Sequence, residues 1–100
     1  MSWVKDALNS LGKTGVAEVR PCGGSMRGRI ESGQLVTLVL ASLEDVVKGD
    51  IVFVKWKGNY LLHLVLDKTG SEILIGNNLG KTNGWARAEA VLAKVVQVRD

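Results

Sequence analysis

Hydrophobic positions repeat with two different periods along this chain, and the change from one to the other falls near residue 15. Val4, Leu8 and Leu11 are spaced by four and three, which lines one face of a helix. Ser2 is placed to cap that helix and Gly12 to end it, so a short helix is predicted over residues 1–12, packed onto the rest of the domain. From Val16 onward the period is that of strands. Val16–Arg20 reads as a strand stopped by Pro21, and Gln34–Leu40 is nearly continuous in apolar and β-branched residues, as in a central strand. Ile51–Trp56 and Asn59–Leu66 flank Lys57-Gly58 as the arms of a hairpin. A turn at Lys68–Ser71 precedes a strand at Glu72–Ile75, and Gly76–Trp85 is rich enough in turn residues to predict an exposed loop. Alternation returns over Ala86–Val98. The pattern predicts a mainly β fold. It is a small, coiled, mostly antiparallel β-domain over 16–98 with one short N-terminal helix.

At 100 residues the chain predicts a single domain over 1–100 with one modest core. Hydrophobic residues make up 46% and charged residues 23%, the balance of a folded globular protein and not of a disordered one. No apolar run approaches the roughly 20 residues that cross a bilayer, and the start lacks the basic and apolar segments of a secretory signal. Cys22 is the single cysteine, so an internal disulfide is excluded and a reducing, cytoplasmic location is expected. The formal charge of +3 gives only weak attraction to anionic surfaces. Arg20, Arg27 and Arg29 cluster near one loop, as phosphate contacts or as its solvated rim, without the aromatic pattern of a nucleic-acid binder. No cofactor or metal site is expected, and the oligomeric state is left open.

The candidate chemistry lies in one glycine-rich loop and one strand. Gly23 and Gly24 let the chain turn sharply and expose Ser25. The only histidine, His63, falls within the apolar stretch Tyr60–Leu66. A serine hydroxyl attacks well only when a base removes its proton, and neutral imidazole suits that role near pH 7.

The residues around this pair extend the picture. Gly24-Ser25-Met26 resembles the nucleophile box of the signal peptidase and LexA-like serine peptidases, and Ser32-Gly33-Gln34-Leu35-Val36 their first Gly-Asp-x-Val strand entry, with Gln34 in place of the acid. Lys48-Gly49-Asp50-Ile51-Val52 is similar to the second Gly-Asp box and His63-Leu64-Val65 to the His-Arg-Val segment of the archaeal and endoplasmic-reticulum branch. Gly76-Asn77-Asn78 resembles the Gly-Asp-Asn box and Ala93-Lys94-Val95-Val96 the closing Gly-Lys-Val-Val strand. The boxes run in the family's order from about Gly23 to Val96.

The resemblance implies a serine endopeptidase that cuts extended peptide or protein substrates after small residues. Ser25 would be the nucleophile, His63 the general base and Asn77 the residue orienting the imidazole. Gly24 would sit at the oxyanion hole and Met26 would line a substrate pocket, although Met26 reads equally well as core. Two positions depart from the pattern: Asn77 stands where the branch has an acid, and Gly28 where proline is usual. A neutral amide fixes the tautomer of a histidine without stabilising its cation. Asp67 or Asp50 would be the substitute acids, Asp50 being better read as holding its turn. Lys55, Lys57 and Lys68 read as solvated charges, Cys22 as a tolerated thiol, and Trp56 and Trp85 as cover for core or edge. The alternative to a peptidase is a catalytically weak or inactive module that holds a peptide or a partner strand in the same groove.

Overall fold

In the computed structural model, which describes residues 3–22, 26 and 28–100, a single α-helix precedes a seven-stranded antiparallel sheet among the described residues. Helix α1 spans Trp3–Thr14. It runs past Gly12 because glycine weakens a helix without forbidding it; the stop comes at Gly15, with φ +80°. The Gly15 N–H donates to Leu11 O at 2.9 Å, and the Thr14 hydroxyl to Ser10 O at 3.2 Å. The buried stripe is Val4-Ala7-Leu11, not the expected Val4-Leu8-Leu11. Ala7 is fully buried and Leu8 is 37% exposed, the small Ala7 side chain allowing close approach to the sheet.

The strands are β1 (Val16–Val19), β2 (Leu35–Leu40), β3 (Ile51–Trp56), β4 (Asn59–Lys68), β5 (Glu72–Gly76), β6 (Thr82–Arg87) and β7 (Val91–Arg99). Their order in the sheet is β1-β2-β7-β3-β4-β5-β6. The β3–β4 hairpin turns on Lys57 and Gly58, whose φ values of 49° and 83° give the two-residue turn that matches strand twist. Two sequence expectations are corrected here. Residues 82–85 are strand, not loop, because they pair with β5 from Gly76↔Thr82 to Leu74↔Trp85. The stretch 86–98 is not one strand: Ala86 and Arg87 end β6, a 3-10 turn covers Ala88–Ala90, and β7 starts at Val91.

Register slips bend the sheet. Val96 and Leu92 are extra residues on β7, Leu66 on β4 and Asn83 on β6, and each such bulge sharpens the local twist. The sheet therefore coils around two cores. One, under α1, holds Leu11, Met26, Leu38, Ile51, Phe53 and Leu62; the other holds Leu43, Val52, Val54, Val65, Ile73 and Ile75. Strand β3 feeds both, Ile51 and Phe53 to one side and Val52 and Val54 to the other, which is why its sequence is a continuous apolar run. Full burial of a side chain such as Phe53 contributes about 1.5–3 kcal/mol. Among the described residues no helix is long and apolar enough to cross a membrane.

Candidate functional site

The pairing of β4 changes along its length. From Asn59 to Leu64 it pairs with β3, but pairing with β5 begins only at Leu64↔Gly76. The Val65 N–H donates to Asp50 O at 2.8 Å, so Val65 faces the β3 side, and alternation places Asn59, Leu61 and His63 with it. Tyr60 and Leu62 therefore turn their backbone toward an edge that no strand covers among the described residues. Beside that edge lies a cavity of about 260 Å³, lined by Tyr60, Leu61, Leu62 and His63, by Trp3 and Val4 of α1, and by Pro21, Cys22, Met26, Ile30 and Glu31. This open backbone was invisible in the sequence, since β4 reads as one uninterrupted strand.

The cavity's other wall is made by Pro21, Cys22, Met26, Ile30 and Glu31. Ser25 and Gly24, with Gly23 and Arg27, lie outside the described residues. Their neighbours are well tied. Met26 is buried in the core under α1 and also lines the cavity. Its carbonyl accepts from the N–H groups of Arg29 and Ile30, at 2.9 and 2.8 Å. Gly28 has φ +95°, a conformation proline cannot adopt, so the loop here follows a different path from one with proline at this position. The Gly28 N–H donates to Glu31 Oε2 at 2.7 Å, and the Glu31 N–H to Gln34 Oε1 at 2.8 Å. Glu31 was missed from the sequence; the signal was its place three residues after Gly28, the spacing at which a carboxylate reaches back to a backbone N–H.

His63 is buried, 7% exposed. Its Nδ1 is hydrogen-bonded to the carbonyl of Leu62. A carbonyl only accepts, so Nδ1 carries the proton and, in the neutral ring, Nε2 keeps the lone pair that a base needs. The partner expected there was Asn77. Asn77 directly follows Gly76, the β5 residue paired with Leu64, and its Oδ1 accepts from Leu79 N–H and Lys81 N–H, both at 2.9 Å. The Asn77 amide oxygen thus builds the β5–β6 loop, while the His63 ring is held by the Leu62 carbonyl. That loop reaches the serine loop through Asn78, whose Nδ2 packs against Gly28.

The two substitute acids are engaged elsewhere. Asp50 Oδ2 accepts from Val47 N–H at 3.0 Å, the turn-holding role expected of it, and Asp67 Oδ1 accepts from Lys68 N–H at 2.8 Å. Arg20 donates to Gly33 O at 2.7 Å and Arg29 to Gly49 O at 3.2 Å, so each arginine ties its segment to a distant turn. Lys68 Nζ donates to Val46 O at 2.7 Å. Cys22 is exposed and free on the cavity wall. No group of three or more His, Cys, Asp or Glu among the described residues is arranged to hold a metal ion. Set against known proteins, the chain matches no family model, no curated protein and no solved structure.

Proposed function

We propose that this domain is a serine endopeptidase in which Ser25 and His63 hydrolyse peptide bonds of extended substrates after small residues. The observation that carries the reading is the cavity on the open side of β4, where His63 meets the described flanks of the Ser25 loop, Cys22 and Met26. An extended peptide adds to that edge as a further strand, its amides pairing with the N–H and C=O of Tyr60 and the N–H of Leu62, whose carbonyl is held by the His63 ring. Ser25 Oγ attacks the scissile carbonyl while His63 Nε2 takes the hydroxyl proton. The Ser25 N–H, with that of Gly24, stabilises the oxyanion. Collapse of the intermediate expels the amine, which receives the proton from His63, and water releases the acyl group by the same route. The single cysteine suits a reducing compartment, and the cytoplasm is the proposed location.

The Leu62 carbonyl orients the imidazole but brings no full negative charge to balance the imidazolium, so turnover is slow compared with a Ser-His-acid site. The same observation favours a second reading, a module of this shape that binds the peptide without cutting it. A fluorophosphonate probe separates the two. In a peptidase it labels Ser25, labelling is lost in Ser25→Ala and strongly slowed in His63→Ala, and a peptide library is cut after small residues. Binding of library peptides without labelling or cleavage leaves the second reading.

A further inference from the structure

A second groove, of about 450 Å³, lies at the far end of the β3–β4 hairpin, between its tip and strand β6. Lys55, Trp56, Lys57, Trp85, Arg87 and Glu89 contribute to its walls. Among the described residues, strand β6 is last in the sheet and pairs only with β5. The Asn77 N–H bonds to Lys81 O, so residue 77 faces β6, and alternation turns Ile75 and Ile73 the same way. Their partners Gly84 and Ala86 face back, which leaves the backbone N–H and C=O of Trp85 and the N–H of Arg87 on the open side, the Arg87 carbonyl capping the 3-10 turn Ala88–Ala90. The Trp85 ring is 43% exposed.

We infer that this groove binds an acidic peptide segment as an added strand on β6, independently of the Ser25–His63 site. Three observations fix the occupant. The groove presents three cations, Lys55, Lys57 and Arg87, against one lining acid, Glu89, with Glu72 opposite Arg87 in the sheet. The open edge offers amide partners, which a polypeptide backbone satisfies and a phosphodiester does not. Stacking of successive bases is poorly served, because the other aromatic faces are occupied. Trp56 is covered by Gly84 on one side, with Lys57 Nζ 5.6 Å from the indole. Tyr60 stacks on Phe53 at 5.7 Å, with Lys55 Nζ 5.6 Å from its ring. Only Trp85 remains, enough for one apolar side chain between acidic ones. A second copy of this chain is disfavoured at this edge, since it would bring two sets of cations together.

The full chain is titrated into a fluorescein-labelled peptide alternating Glu and Val, and anisotropy is read. The Glu peptide should bind at least about ten-fold tighter than the same peptide with Lys for Glu. Methylating alternate backbone amides should abolish binding. Trp85→Ala and Arg87→Gln, both exposed and expected to fold, should each weaken it about ten-fold while leaving Ser25 labelling unchanged. Equal affinity for the Glu and Lys peptides, indifference to backbone methylation, tighter binding of oligothymidylate, or no binding at all would each overturn the inference.

Discussion

Gly76 and Lys81 approach so closely that a Cβ on Gly76 would stand 2.4 Å from the Lys81 carbonyl oxygen. The same atom would lie 2.6 Å from Leu66 Cδ1, on the bulged residue of β4. The glycine of the Gly-Asn-Asn segment is thus required by space. Gly76→Ala is expected to destabilise the domain by about 1–3 kcal/mol, because backbone must move to admit the methyl group. Gly70→Ala is the control, since nothing lies within 4 Å of its added Cβ. Urea unfolding of both variants checks this, and equal midpoints would show that the loop yields freely.

Glu31 closes the serine loop from its C-terminal side through Gly28 N–H. Glu31→Ala removes that acceptor and is expected to cost about 1 kcal/mol, whereas Glu31→Gln keeps an amide oxygen and recovers most of it. If the loop presents Ser25, fluorophosphonate labelling falls several-fold in the alanine variant and less in the glutamine variant. Equal labelling in all three proteins would remove Glu31 from any part in placing the nucleophile.

What the sequence revealed follows where the energy lies. The apolar run of β3 and the Lys57-Gly58 turn are legible because burial and positive φ select their own residue types. Strand β6 was not legible, since Thr82-Asn83-Gly84-Trp85 has the composition of a loop. Pairing with β5 and the Trp56 ring lying over Gly84 make it a strand, and neither is local in sequence. The site divides the same way. His63 could be singled out as a lone imidazole among apolar residues, but the open edge beside it depends on where β5 starts to pair. The Leu62 carbonyl as partner of the ring carries no residue signature at all.

Asp45 makes the fold sensitive to acid. Its carboxylate accepts from the Ser42 N–H at 2.9 Å and the Ser42 hydroxyl at 3.1 Å. These bonds, the backbone one first, hold its pKa below the ordinary aspartate value despite some desolvation, with Lys94 and Lys68 adding to the effect. A folded-state pKa below the unfolded one gives stability that is complete above the unfolded value, about 3.9, and is lost as pH falls through the folded value. The advantage of the native protein over Asp45→Asn should therefore be constant near neutrality and shrink in acid. Urea midpoints of the two proteins across that range decide it; a gap that does not narrow would show that Asp45 titrates alike in both states.

The Asn77 amide oxygen builds the β5–β6 loop just past Gly76, the partner of Leu64, which follows His63 on β4; the proposed mechanism brings this loop to the imidazole. Asn77→Ala removes an acceptor shared by two backbone N–H groups and is expected to cost about 1–3 kcal/mol. Asn77→Asp keeps both hydrogen bonds, because each donor is a backbone N–H to Oδ1, so stability at neutral pH should stay within about 0.5 kcal/mol of the native protein. The new carboxylate adds a negative charge next to the imidazole, which favours the imidazolium formed when Ser25 gives up its proton. Ser25 labelling by fluorophosphonate should then accelerate several-fold in Asn77→Asp, and this gain should disappear when His63 is also replaced by alanine. An unchanged rate in a stably folded Asn77→Asp would mean that the β5–β6 loop has no electrostatic access to the ring. The Leu62 carbonyl would then be the sole orienting group of this histidine.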